Sequence, residues 1–161
     1  MLTIEQSDDP LVRAEDVQNL IDATEVLEVR LDEVHAGPLA KLGDTLVVDV
    51  KVDEPQIGRT DFDDRILIRF THRVLCFAEA TPELTTELTL SHVVALQMTK
   101  PITVRPAVVA AWVETNIYFL AYPYVRQSVT VLTASLGMPA VVLGYLSRDK
   151  RPITGGMASA E

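Results

Sequence analysis

The sequence predicts an α+β domain: a four-stranded antiparallel sheet with a long C-terminal helix packed on it. Three observations carry this. Four successive stretches between residues 25 and 98 alternate apolar and polar residues with a period of two, the signature of half-buried strands joined by short connections. A long, nearly uncharged stretch follows, Pro106 to Ser147, in which only Glu114 and Arg126 carry charge. It opens with a proline suited to the first helical position and breaks near its end at Gly137 and Pro139.

Taken in order, Asp8-Asp9-Pro10 reads as a helix start, and Leu11, Val12, Val17, Leu20 and Ile21 form a weak apolar stripe, giving a short helix over about 10–22. The first strand sets Leu27, Val29 and Leu31 against Glu28, Arg30 and Asp32, and Ala36-Gly37-Pro38 ends it. The second sets Leu46, Val48, Val50 and Val52 against Asp49, Lys51 and Asp53. Asp53 to Asp64 reads as an acidic loop. The third strand, Arg65 to Phe77, points Ile66, Ile68, Phe70, Val74 and Cys76 one way and Arg65, Arg69 and Arg73 the other. The fourth, Thr86 to Met98, turns Leu88, Leu90, Val94, Leu96 and Met98 inward. Val47, Leu67, Leu75, Phe77 and Val93 fall on the opposite face, which is thereby predicted to be partly used for contact.

Ala107 to Ala121 has almost no polar side and is expected to be covered from more than one direction. Pro123 removes an amide hydrogen, so a kink or restart is expected there. Val125, Val129, Leu132 and Leu136 continue at helical spacing, and Thr130, Thr133 and Ala134 offer a small, uncharged side for close approach of another helix. Residues 138–146 are apolar and loop-like or strand-like, and 148–161 reads as a frayed tail after a single domain spanning 1–147.

Composition bounds the function. A chain of 161 residues with 48% hydrophobic content suffices for one cored domain. Net charge is −9, and the first 64 residues, with 17 acids and 5 bases, hold −12, which repels nucleic acid and favours basic partners or solubility. Ala107 to Val125 has 19 residues, near a bilayer span, but Glu114-Thr115-Asn116 lies at its centre, where one acid alone costs roughly 2.5–3.5 kcal/mol. Membrane insertion is not expected. A lone cysteine, Cys76, and an acidic, polar opening without a signal pattern point to the cytoplasm.

No constellation argues for catalysis. His35, His72 and His92 have no zinc or catalytic spacing; His72 and His92 are expected as cross-strand neighbours hydrogen-bonded at the sheet edge. Asp61, Asp63 and Asp64 lack the glycine and trailing glutamate of a calcium loop. No metal and no cofactor is expected. Arg126, inside an apolar helix, needs an acceptor, and an interface pairing with Glu114 or a sheet carboxylate is expected, against an arginine that reaches out to solvent. Trp112, Tyr118, Phe119, Tyr122, Tyr124 and Tyr145 are six of the nine aromatics and suit a groove gripping apolar segments of other chains.

The run FLAYPYVRQSVTVLTASLGMPAVVLGYL resembles the signature of the SecB family of export chaperones. Tyr122, Pro123, Tyr124 and Arg126 match its aromatic-Pro-Tyr-x-Arg opening, and Gly137, Pro139 and the run to Leu146 match its crossover loop; the likeness extends over about 23–147. The resemblance implies an ATP-independent holdase for unfolded polypeptides, assembled as a homotetramer, a dimer of dimers. It implies clients along Trp112, Tyr118, Tyr122, Met138, Val141, Leu143, Tyr145 and Leu146, and an oligomer interface at Tyr124, Val125, Arg126, Val129, Thr130, Thr133 and Ala134. It also implies contact with the SecA motor through Asp32 and Glu33. The next acidic positions of that face fall here at Ala36 and at Thr89 or Leu90, and 148–161 stands where the family has a second helix and acidic tail. With the added N-terminal helix, these differences resemble the SecB-like chaperones of toxin–antitoxin systems, whose clients are antitoxins. The alternatives are a structural oligomerisation module without clients and a small-ligand binding protein.

Overall fold

The inward residues of the third and fourth predicted strands are those that the folded chain buries, and they form the centre of the sheet. In the computed structural model, which describes residues 1–5, 9–37, 46–60, 64–78 and 84–146, seven strands and three helices follow one another. They are β1 (Leu2–Ile4), α1 (Ala14–Asp22), β2 (Thr24–Ala36), β3 (Leu46–Val52), β4 (Gln56–Arg59), β5 (Arg65–Ala78), β6 (Leu84–Met98), β7 (Ile102–Val104), α2 (Pro106–Trp112) and α3 (Tyr118–Ser135). The main sheet is antiparallel in the order β2-β6-β5-β3, with β4 also paired to β5. It therefore has five strands, not four: β4 lies inside the stretch expected to be an acidic loop. Asp61 and Asp63 of that stretch lie outside the described residues, as does the tail 148–161.

Two further strands were not anticipated. β1 pairs in parallel with β7, Leu2 opposite Ile102, and Leu2 is buried. The first helix begins at Ala14 rather than Pro10, because Asp9 takes the Leu11 amide in a turn at 3.0 Å and extended Arg13 precedes the first helical residue. β2 departs from clean alternation. Bulges between Val26 and Glu28 and between Leu31 and Glu33 shift its register on β6, and Val26, Leu27, Leu31 and Val34 are exposed while Val29 packs on the core.

The helical layer covers one face of the sheet. Pro106 stands in the first turn of α2 as its fixed φ allows. Val108, Val109, Trp112, Val113, Ile117, Tyr118 and Ala121 are buried, whereas Ala110, Glu114 and Thr115 are exposed, so this segment is covered from one side in the protomer. The helical irregularity lies at Val113–Ile117, a π-helical turn closed by the Tyr118 amide on the Val113 carbonyl, and α3 runs unbroken through Pro123. The expected restart at Pro123 does not occur. Among the described residues no helix is long and apolar enough to cross a membrane.

The core has two clusters. One surrounds Trp112 with Phe70, Leu96 and Leu20; the other joins Val48, Val74, Leu88 and Leu90 of the sheet to Val125 and Val129 of α3.

Candidate functional site

The end of α3 determines how the following segment runs. Gly137, at φ 75°, adopts the left-handed conformation that a Cβ would disfavour. Its amide reaches the Ala134 carbonyl at 3.0 Å and the Met138 amide reaches that of Thr133 at 3.1 Å, a Schellman ending. The chain then turns back, and residues 138–146 lie as a strap along α3. Met138, Val141 and Leu143 point into the second core cluster and are nearly fully buried, while Ala140, Val142, Gly144 and Tyr145 are exposed.

Among the described residues no strand pairs with the strap. Side chains of α3 hold its backbone instead. Tyr122 donates its hydroxyl to the Gly144 carbonyl at 2.6 Å, Arg126 its Nε to that of Leu143 at 2.7 Å, and Thr130 its hydroxyl to that of Val141 at 2.9 Å. The Thr133 hydroxyl accepts the Val141 amide at 3.0 Å and donates to the Val129 carbonyl at 2.8 Å. Residues four, four and three apart share one edge of a helix, so these groups form a row. The Arg126 guanidinium also sits 4.3 Å from the centre of the Tyr145 ring, a cation–π contact. Within the protomer and among the described residues, Arg126 thus takes a carbonyl and a ring as partners rather than a carboxylate.

These contacts redistribute the predicted residues. Trp112, Tyr118, Met138, Val141 and Leu143, expected along a client groove, are inside the protomer core; Tyr122 and Leu146 are half-buried and Tyr145 is 87% exposed. Val125, Val129 and Thr133, expected at an oligomer interface, are fully buried against the sheet and strap, so they have no surface for a second copy. Tyr124 and Ala134 remain outside, and Arg126 and Thr130 are half-covered by the strap. Tyr124 (47% exposed), Val131 (55%) and Val142 (52%) give the outer side of α3 and the strap an apolar band. A 310 Å³ recess lies between them, lined by Pro123, Arg126, Gln127, Thr130, Val131 and Val142. The row Tyr122, Arg126, Thr130, Thr133 was missed as a unit in the sequence. Its signal is polar side chains at 4, 4 and 3 spacing on a helix read otherwise as apolar.

His72 and His92 lie on the central strands, not at a sheet edge, and they are offset by two residues along the ladder: Phe70 faces His92 and His72 faces Leu90. Both are buried, with ring centres 6.5 Å apart. Nε2 of His72 shares a 2.9 Å hydrogen bond with the Tyr118 hydroxyl, and Nε2 of His92 one of 2.9 Å with Ser128 Oγ. Each Nδ1 has no partner among the described residues. Burial pushes both imidazoles down to about 4, with the neighbouring His92 adding to the effect at His72 and Asp53 opposing it. Burial likewise raises the Tyr118 hydroxyl and the Cys76 thiol. The described residues contain no group of three or more histidine, cysteine or acidic side chains placed to hold a metal.

On the other face of the sheet, Asp32 and Glu33 are both engaged by Arg69, the latter at 3.2 Å, and Asp32 lies 3.7 Å from Arg30. A hydrogen bond from His35 and its charge, with help from Arg69, lower the Glu33 carboxyl. The acids of this face are therefore part of a mixed-charge lattice.

No protein-family model and no curated protein matches the chain. Among solved structures, it is similar to the SecB-like chaperone Rv1957 of Mycobacterium tuberculosis, solved in complex with a ChAD peptide from the Rv1956 HigA1 antitoxin. The TM-score is 0.71 at 20% sequence identity, over 83% of this chain and 98% of that one. The chain thus has the SecB-like fold, an antiparallel sheet with a long C-terminal helix.

Proposed function

We propose that this protein is an ATP-independent holdase chaperone for unfolded or aggregation-prone polypeptides. The observation that carries the reading is the apolar band on α3 and the strap, with Tyr145 almost wholly in solvent, in a fold shared with a chaperone solved with an antitoxin peptide. Clients bind against Tyr122, Tyr145 and Leu146 by burial of apolar area, at about 25 cal/mol per Å² before entropy costs. Tyr124, Val131 and Ala134, on the outward side of α3, join copies into a homotetramer. Asp32 and Glu33 are already paired with Arg69, which favours antitoxin protection in the cytoplasm over a SecA-coupled export role.

The experiment is suppression of aggregation of a chemically unfolded client without nucleotide. Light scattering should fall in proportion to added protein; full aggregation at stoichiometric tetramer rejects the reading. A structural oligomerisation module is favoured by the same band if it serves self-assembly alone. Tyr145→Ser separates the two: a chaperone keeps its assembly and weakens client binding, whereas the module has no client to lose.

A further inference from the structure

The two core clusters are closed in different ways. The one around Trp112 is roofed by α1, α2 and the start of α3. The other has a floor of Val48, Val74, Leu88 and Leu90 and a wall of Val125 and Val129, and Met138, Val141 and Leu143 of the strap complete it. The strap enters as an extended chain would. Its apolar side chains Met138, Val141 and Leu143 enter the cluster, and the hydrogen bonds of the four α3 side chains to the strap go to main-chain atoms, the carbonyls of Val141, Leu143 and Gly144 and the amide of Val141, while Arg126 also touches the Tyr145 ring at its outer end. Recognition of backbone, combined with apolar side chains in a floor, requires no particular sequence.

We propose that residues 138–143 are an internal stand-in for a client, and that an extended apolar segment of an unfolded polypeptide replaces them on the same track, with Tyr145 and Leu146 remaining as outer contacts. This inference rests on the chaperone reading above. Release is inexpensive in hydrogen bonds. The amides of Ala140 and of Val142 to Leu146 have no partner among the described residues, so no sheet ladder is broken, only the row from Tyr122 to Thr133 and the bond of the Met138 amide to the Thr133 carbonyl. The occupant is an extended chain rather than a second folded copy, because the track between α3 and the sheet holds a single extended segment now. Strap and client then compete, and the observed affinity is the intrinsic one reduced by the open fraction. The consequence has a sign opposite to that of a direct contact: weakening the strap's own anchors tightens client binding.

The test uses full-length protein and carboxymethylated α-lactalbumin, a permanently unfolded probe. Leu143→Ala and Val141→Ala should each lower its Kd, by roughly three- to thirtyfold for the larger deletion. An unchanged or raised Kd in a variant that keeps the buried Trp112 emission overturns the proposal. Should neither variant fold, amide exchange on the unaltered protein decides. Saturating lactalbumin should speed exchange of the Val141 amide, and unchanged or slowed exchange with client bound overturns the proposal while leaving the chaperone reading in place. If the unaltered protein binds no lactalbumin at all, both readings fall together.

Discussion

His72 on β5 and Tyr118 at the head of α3 share a 2.9 Å hydrogen bond inside the core, their rings stacked 5.7 Å apart. With His92 and Ser128 in the same layer, two neutral imidazoles tie the central strands to the helix. Both titrate near 4 in the folded chain and near 6.5 when unfolded, so the unfolded state binds more protons between those values. Stability is complete above pH 6.5 and falls as pH drops towards 4, by about 3 kcal/mol per histidine. Urea titrations at pH 7, 5.5 and 4.5 measure this. The double variant His72→Gln, His92→Gln should be less stable at pH 7 and lose much less on acidification; an equally steep acid loss would place the sensitivity elsewhere.

The second relationship is that of Thr133 to Val141. Thr133→Val keeps the shape but leaves the buried Val141 amide without an acceptor, at a cost of about 1–3 kcal/mol. Thr133→Ser keeps the oxygen and should cost less. Denaturant midpoints for the two variants check the difference, and equal losses would mean that packing of the methyl group, not the hydrogen bond, holds the strap.

Much of this architecture was legible, for definable reasons. Ile66, Ile68, Phe70, Val74 and Cys76 alternate, broken only by the buried His72, because β5 has strands on both sides and a helix above one face. Gly137 announced the helix end because no other residue adopts its φ as freely. What stayed hidden depends on partners distant in sequence. β1 sits in a polar opening and exists through Ile102 and its neighbours. The bulges of β2 answer the register of β6. Above all, the resemblance implied Met138, Val141 and Leu143 as client surface, and hydropathy did not object, because an apolar segment looks the same whether it faces a client or the protein's own core. The helix row that binds it is polar and spread over residues 122–133.

Arg69 links Asp32 and Glu33 on an exposed face, where ion pairs contribute little to stability. Arg69→Met should leave the melting temperature nearly unchanged at physiological salt. It should, however, free two acids and take the net charge from −9 to −10, strengthening low-salt binding of a nonaarginine peptide. A large drop in melting temperature would show that the pairing is structural. No gain in peptide binding would show that the two acids stay masked by Arg30 and His35.

Pro123 sits within α3 with its ring exposed, one turn and more beyond the π-helical stretch Val113–Ile117. It cannot donate to the Phe119 carbonyl four residues back, and an interior proline costs about 3 kcal/mol relative to alanine in a regular helix. The chain tolerates this because Tyr118, Ala121, Val125 and Val129 anchor the same helix to the sheet on either side. Pro123→Ala restores the donor and removes only part of one wall of the outer recess. It should therefore stabilise the fold by about 1–3 kcal/mol, raising the melting temperature by several degrees. A lower melting temperature would mean that the proline relieves strain passed down from the π-helical turn. A higher one accompanied by weaker client binding would mean that the Phe119 carbonyl, to which Pro123 cannot donate, or the shape Pro123 gives the recess, is what the proline is kept for.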